Sequence, residues 1–283
     1  MSQAFGQEIT LGEKPTQIAE IRIDNNGIAH VVHKVEGSAT KTQQVETYQG
    51  TMAELSVTDE DGNDVQYLTL EKYPIAIVLP PSGNDVILIK YDLTDVLSLK
   101  DGIWTWNYTG QEITSFYFPE NADIIWINEN PIYVAGTGIR QHGGAMKIEY
   151  SIDEPTVLKD AEWEGEKFTV GIRTFSDIDL FEFDQAKKSL SFDVSKGHSY
   201  TIAIIPLKLL WEPYDVYLGT NSTENAEFYN NGTHVWVGFK PEMSGSVQII
   251  GTTVVPEFPL FAPLAIGISA VILFQFRNKF TFR

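Results

Sequence analysis

The chain has 283 residues and no cysteine, and its 38 acidic and 20 basic side chains give a formal net charge of −18. The lack of thiols excludes disulfides, thiol nucleophiles and cysteine-ligated metal sites. The acidic balance argues against a nucleic-acid partner, because phosphate binding needs clustered Lys and Arg. A hydrophobic content of 43% suffices for packed cores, and the length predicts two domains plus an anchor.

Residues 1–152 are predicted to form an N-terminal β-sandwich ectodomain. Apolar and polar residues alternate with a period of two in many short runs, which is typical of half-buried strands. The runs cover residues 21–23, 27–35, 52–57, 65–70, 75–79, 86–91, 103–108, 115–118, 124–127 and 146–150. The Asp61-Gly62 dipeptide predicts a hairpin turn between two of them.

Residues 153–167 are rich in acidic residues and contain Pro155, which predicts a linker. A second series of strand patterns follows over residues 168–252 and predicts a compact membrane-proximal sandwich of roughly seven strands. The runs cover residues 168–172, 190–194, 200–205, 214–218, 235–239 and 247–250. The predicted fold class is therefore all-β, with two tandem Ig-like β-sandwich domains followed by a single C-terminal transmembrane helix.

The C-terminal segment from residue 258 to 276 contains only two polar side chains, Ser269 and Gln275. Its 19 residues would span ~28 Å as a helix, close to the ~30 Å hydrocarbon core of a bilayer. A buried core helix would be shorter and would carry a polar stripe. We therefore predict a Pro-containing linker over residues 253–259 and a transmembrane helix over residues 260–276.

A short basic tail over residues 277–283 follows the predicted helix and contains Arg277, Lys279 and Arg283. Basic flanks of this kind stay on the cytoplasmic side of a membrane. The predicted topology is therefore single-pass, with the C-terminus cytoplasmic and the bulk of the chain extracytoplasmic.

Pro256, Glu257, Phe258 and Pro259 stand directly before the apolar span. With this motif, the span and the basic end, residues 165–283 resemble the membrane-proximal region of archaeal cell-surface proteins with a PEF-type C-terminal anchor. The first 150 residues are similar to ectodomains of ammonia-oxidising archaea. The resemblance implies a secreted, surface-displayed protein. Some members of that group are processed near the motif by an archaeosortase, but a related form of the motif has glycine in place of Glu257, so cleavage and retention by the helix both stay open.

Three N-glycosylation sequons begin at Asn107, Asn221 and Asn231. Each lies beside predicted strands in a turn-like stretch, where a glycan would project into solvent. The sequence therefore predicts a glycoprotein.

Two motifs contain side chains of the kind that bind metal ions. In a strand, His30 and His33 point to opposite faces, so they cannot chelate one ion. Residues 59–64 contain four Asp or Glu side chains, but a calcium loop needs its glycine at position six and a Glu at position twelve. A solvated hairpin tip is the favoured interpretation, with a weak calcium site as the alternative.

Two further motifs carry possible ligand contacts. The glycine-rich stretch over residues 136–144 contains Arg140 and His142 and is predicted to be a loop connecting strands, with ligand contact as the alternative. Trp104 and Trp106 are predicted to lie on one face of a strand. They are interpreted as core residues, with a sugar-binding platform as the alternative.

The sequence thus predicts a non-enzymatic, membrane-anchored surface protein with a structural, adhesive or envelope role. No catalytic, cofactor-binding or metal-binding residue is assigned, and no cofactor is expected. The predicted partners are membrane lipid and other envelope or membrane-complex proteins. The alternative is an accessory subunit or ligand-binding module of a membrane complex, with a pocket around Arg140, His142, Trp104 and Trp106; a surface hydrolase is a third hypothesis.

Overall fold

The computed structural model describes residues 12–71, 74–132, 134, 138–163, 165–219, 221–223 and 226–252. Strands take up 62% of the described residues, which contain no helix. The predicted all-β class is confirmed. The chain divides into two compact units between Pro155 and Thr156.

The strands described in the first unit are β1 (Gln17–Ile23), β2 (Ala29–Glu36), β3 (Gln43–Glu46), β4 (Met52–Asp59), β5 (Leu68–Leu70), β6 (Ala76–Leu79), β7 (Val86–Leu93), β8 (Ser98–Lys100), β9 (Ile103–Tyr117), β10 (Ala122–Ile127), β11 (Asn130–Pro131) and β12 (Ile139–Ile152). Nine of them form one sheet in the order β11-β10-β12-β9-β1-β2-β7-β4, with β8 also paired to β9. Strands β3, β6 and β5 form a separate three-stranded sheet. The pairing of β1 with β9 is parallel, whereas the other ladders of these sheets are antiparallel.

One core joins both sheets of the first unit. Val45 and Leu79 of the small sheet pack in the same cluster as Ile21, Val31 and Ile89 of the large sheet. On β2 the residues alternate between buried and more exposed positions, as a strand with one face against a core requires. This alternation places a histidine, His33, among the buried side chains.

The strands described in the second unit are β13 (Thr156–Trp163), β14 (Glu166–Thr174), β15 (Ile178–Asp184), β16 (Ser189–Val194), β17 (Thr201–Pro206), β18 (Asp215–Leu218), β19 (Asn221–Thr223), β20 (Ala226–Asn230), β21 (His234–Phe239) and β22 (Gly245–Ile250). They form two five-stranded sheets, β13-β14-β17-β21-β20 and β15-β16-β22-β18-β19. Both sheets contribute to one core, with Val170 and Val237 from the first packing in the same cluster as Phe192 and Ile249 from the second. The unit therefore has ten described strands, more than the roughly seven predicted.

The predicted acidic linker over residues 153–167 is largely a strand. β13 pairs residue by residue with β14, from Thr156 opposite Arg173 to Trp163 opposite Glu166. Ala161 on this strand is buried, whereas Asp160 and Glu162 are exposed. The acidity that suggested a linker comes from the outward face of an edge strand, where charged side chains are common.

Two other predictions differ from the structure along β9 and β12. The runs at residues 103–108 and 115–118 are parts of one 15-residue strand, β9. The glycine-rich stretch predicted as a loop is, from Ile139 onward, the beginning of β12. The pairing of β12 with β9 shifts register between His142 and Gly144, so Gly143 and Gly144 lie at a β-bulge.

Candidate functional site

The sequence-predicted ligand groups do not converge. Arg140 lies opposite Ser115 on β9, whereas Trp104 lies opposite Tyr150. Ser115 and Trp104 are 11 positions apart on β9, which corresponds to roughly 35 Å along the strand. No shared pocket around Arg140, His142, Trp104 and Trp106 is formed.

The two tryptophans are packed in the first unit. Trp104 stacks on Tyr150 with a ring-centroid distance of 6.4 Å, and Trp106 makes edge contacts with Tyr108 at 5.6 Å and Phe116 at 5.8 Å. Trp106 is only 4% exposed. The geometry favours the core interpretation over a sugar-binding platform.

The histidine pair points to opposite faces of β2, as predicted. His30 is exposed, and its Nδ1 lies 2.7 Å from a carboxylate oxygen of Asp92. His33 is fully buried. Among the described residues, no group of three or more His, Asp or Glu side chains is arranged to hold a metal ion.

The acidic tip at residues 59–64 uses a carboxylate to close its own turn. Asp59 Oδ1 accepts hydrogen bonds from the backbone N–H groups of Asp61 and Asn63 at 3.0 and 2.8 Å. The side-chain amide of Asn63 donates to Asp59 as well, and these hydrogen bonds lower the pKa of Asp59. This pattern fits the solvated hairpin tip.

The three sequon asparagines are all exposed, but their settings differ. Asn107 lies within the long strand β9, opposite Lys147, and not in the expected turn. Asn221 begins β19. Asn231 lies in the turn between β20 and β21.

Asn231 has its carboxamide oxygen held by its own sequon. Asn231 Oδ1 accepts hydrogen bonds from the Thr233 hydroxyl at 2.8 Å and from the Thr233 and His234 amides at 3.0 and 2.8 Å. The amide nitrogen, which would carry a glycan, takes part in none of these bonds.

A buried polar network in the first unit was not found from the sequence. His33 Nδ1 lies 3.1 Å from Gln17 Oε1, and Gln17 Nε2 donates to Glu112 Oε1 at 2.9 Å. A carboxylate oxygen only accepts, so the Gln17 amide nitrogen faces Glu112 and its oxygen faces His33. His33 Nδ1 must therefore carry the proton. Its Nε2 then accepts from the Tyr91 hydroxyl at 2.9 Å.

The network continues through the backbone and two further tyrosines. The Tyr48 backbone N–H donates to the Tyr91 oxygen at 3.0 Å. The Tyr48 and Tyr108 hydroxyls lie 2.9 and 2.7 Å from Thr114 Oγ1. Burial lowers the pKa of His33 to about 4, against a smaller opposing effect of the Glu112 charge. His33 is thus neutral at pH 7, which suits its role as a hydrogen-bond acceptor toward Tyr91.

This network ties together distant parts of the first unit. Its members come from β1, β2, β7 and β9 and from the loop after β3. Because His33 is fully buried, it is not available to a substrate in this structure. Satisfied buried networks of this kind fix one packing arrangement, and that is the role the geometry supports.

The second unit carries an apolar surface patch beside Thr252, the last described residue. We name it the exit pole and define it by the residues Phe168, Pro206, Leu207, Lys208, Trp211 and Thr252. A cavity of about 300 Å³ lies here, and Trp211, Phe168, Pro206 and Leu207 contribute apolar side chains to its lining. Trp211 is 41% exposed, which is unusual for so large an apolar side chain.

Local packing explains why Trp211 is turned outward. It lies in the loop between β17 and β18, where the neighbouring Leu209 and Leu210 are both fully buried. The buried Tyr214 hydroxyl donates to the Leu210 carbonyl at 2.8 Å. These contacts fix the loop and leave the indole at the surface. The signal in the sequence is a tryptophan that follows two leucines and precedes a Glu-Pro pair, a pattern without strand periodicity.

The residues predicted to anchor the chain lie outside the described residues. They are Pro256, Glu257, Phe258 and Pro259 of the motif and Arg277, Lys279 and Arg283 of the tail. Within the part of the chain that the structure describes, no helix is long and apolar enough to cross a membrane.

Comparisons with known proteins assign no family. No protein-family model matches the chain, and no curated protein matches it. Part of the chain is similar to the crystal structure of an aminopeptidase N family protein from Idiomarina loihiensis, with a TM-score of 0.37 and 9% sequence identity. The match covers 54% of this chain and 32% of that one, about a third of its length. A likeness of this degree carries no argument about activity.

Proposed function

We propose that this chain is a membrane-anchored surface protein whose two β units lie outside the cell and serve a structural, adhesive or envelope role. In this proposal the units are tandem Ig-like sandwiches, the span at residues 260–276 crosses the membrane, and the basic tail is cytoplasmic. The protein is not an enzyme. Its partners are membrane lipid and other envelope proteins.

The observation that carries the proposal is the order of segments at the C-terminal end. β22 ends at Ile250, and the apolar run begins at residue 258. A 19-residue run without a charged side chain, followed directly by a basic end, matches the length and charge bias of a spanning helix.

Two further features are consistent with a non-catalytic surface role. The candidate ligand groups of the first unit are dispersed over β9 and β12, which argues against the specific pocket around Arg140, His142, Trp104 and Trp106. The net charge of −18 supplies a hydrated, repulsive surface that keeps such a protein soluble beside its neighbours.

Alkaline carbonate extraction tests the anchor. The full chain should stay in the membrane pellet. A matched variant with Ile268→Lys and Ile272→Lys keeps both β units but places two charges in the middle of the span, each costing about 3 kcal/mol there. This variant should move to the supernatant. Release of the unmodified chain by carbonate would refute the proposal.

A further inference from the structure

The exit pole of the second unit holds the last described residue firmly. The Thr252 backbone N–H donates to the Trp211 carbonyl at 3.0 Å, and Lys188 Nζ donates to the Thr252 carbonyl at 2.9 Å. The Thr252 hydroxyl also bonds the Glu212 carbonyl. The point at which the chain leaves the second unit is therefore fixed directly beside Trp211.

The connection from this point to the apolar span is short. Only residues 253–257 separate Thr252 from Phe258. Six Cα–Cα steps span at most ~20 Å when fully extended. If the span enters the bilayer as proposed above, the exit pole cannot lie farther than ~20 Å from the hydrocarbon boundary. A less extended connection brings the pole into the headgroup layer, which is ~5–8 Å thick on each side.

The chemistry of the exit pole fits that layer. Trp211 presents an apolar ring with one N–H donor, a combination enriched where lipid tails meet headgroups. The cavity beside it has apolar walls from Phe168, Pro206 and Leu207, and its remaining lining residues are the exposed Lys208 and, from the turn and the start of β21, Gly232, Thr233 and His234. A lysine in this position can place its ammonium group at the phosphate level while its stem covers apolar surface.

We propose that the exit pole is a lipid-contact surface, with Trp211 inserted into the headgroup layer of the membrane that holds the C-terminal span. This inference rests on the proposed function. It adds a second attachment point, which restricts the tilt of the second unit relative to the bilayer. The exit pole contacts the membrane–water interface through the indole ring of Trp211, so a bilayer of zwitterionic lipid is sufficient for this contact.

The absence of cysteine allows a site-specific test. The full chain is reconstituted into nanodiscs of phosphatidylcholine, and a nitroxide is attached to one introduced cysteine at a time. Lys208→Cys reports on the exit pole and keeps Trp211. Met243→Cys is the matched control, because Met243 is 69% exposed and lies in the connection between β21 and β22, at the opposite end of β22 from Ile250. The measurement is the collision rate of each nitroxide with a water-soluble nickel chelate.

The Lys208→Cys label should be shielded from the chelate severalfold relative to the Met243→Cys label. Adding Trp211→Ala to the Lys208→Cys variant should restore much of the access, because the proposed insertion depends on the indole. A retained fold in each variant is checked by the far-ultraviolet circular dichroism of the nanodisc sample.

Each other outcome overturns the inference in a distinguishable way. If the Lys208→Cys label is as accessible as the control in a chain that resists carbonate extraction, the lipid-contact surface is refuted and the anchor stands. If the chain does not enter nanodiscs, both proposals fail. If the Lys208→Cys labels of two copies of the chain in one nanodisc show dipolar broadening, a second copy covers this surface instead of lipid.

Discussion

Acidification should destabilise the first unit through His33. The pKa of His33 is lowered from 6.5 to about 4 because the imidazole is fully buried. Between these values the unfolded chain takes up a proton that the folded chain does not. The stability contributed by neutral His33 is therefore fully present above pH 6.5 and is lost as the pH falls toward 4. A shift of about 2.5 pKa units corresponds to roughly 3 kcal/mol, since one unit is worth ~1.4 kcal/mol.

Protonation would also break the directional order of the buried network. Protonated His33 donates from both nitrogens, so the Tyr91 oxygen would face two donors, the imidazolium and the Tyr48 amide. The Tyr91 hydroxyl proton would then lose its acceptor on the ring. This is a structural reason for the low pKa in addition to the loss of solvation.

Two assays on the full chain in detergent micelles check the prediction. Nitrogen-15 NMR of labelled histidines should show one of the five imidazoles as a neutral Nδ1–H tautomer that titrates near pH 4. Hydrogen exchange of β1, β2 and β7 amides should accelerate between pH 6.5 and 4, after correction for the intrinsic rate. In the His33→Gln variant that extra acceleration should disappear, which separates His33 from carboxylates that titrate in the same range.

A normal His33 titration near pH 6.5 would contradict the reasoning, and so would equal pH dependence in the His33→Gln variant. Glu112→Gln offers an independent check on the cause. The Glu112 charge raises the His33 pKa against the larger effect of burial, so removing that charge should move the midpoint below about 4. An upward movement would mean that the electrostatic account is wrong.

Backbone geometry supplies two further predictions, both measured as unfolding free energies by urea titration. Gly110→Ala should destabilise the first unit by about 1–3 kcal/mol through overpacking, since an added Cβ would lie 1.9 Å from the Tyr108 hydroxyl. Gly83→Ala is the control and should be nearly neutral, because no atom lies within 4 Å of the added Cβ. Leu180→Asn should stabilise the second unit by about 0.5–1 kcal/mol, because Leu180 is 77% exposed with φ of 48°, a conformation that Asn tolerates better. Leu158→Asn, at a 68% exposed strand position, should give no such gain.

These two predictions fail under clear conditions. Equal effects of the two glycine substitutions would show that Tyr108 does not restrict the side chain at position 110. A loss of stability in Leu180→Asn would show that the leucine side chain makes contacts that outweigh its backbone strain.

Strands with one buried face could be predicted from the sequence. Strands β2, β7, β16 and β22 follow runs with period-two alternation, because one face of each packs against a core. The edge strand β13 was missed because its outward face is acidic. The parallel pairing of β1 with β9 could not be predicted, because nothing in the local pattern selects a partner about 95 residues away.

The candidate sites depended even more on long-range contacts. The period of β2 places His33 beside Val31 and Val35, but its partners Gln17 and Tyr91 come from other strands. Alternation along β2 therefore predicts that His30 and His33 point to opposite faces, but it does not predict the network. The exposure of Trp211 follows from the burial of its neighbours in a loop, where no periodicity applies.

The proposed surface role depends most on which side of the membrane each segment occupies. Met243→Cys and Arg283→Cys place single thiols in the second unit and in the basic tail of an otherwise cysteine-free chain. Intact cells that make each variant are treated with a membrane-impermeant maleimide, and the label is measured on the purified chain. Labelling of Met243→Cys in intact cells, with Arg283→Cys labelled only after lysis, is the predicted result. The reverse pattern, or labelling of neither variant before lysis, would contradict the proposed surface protein.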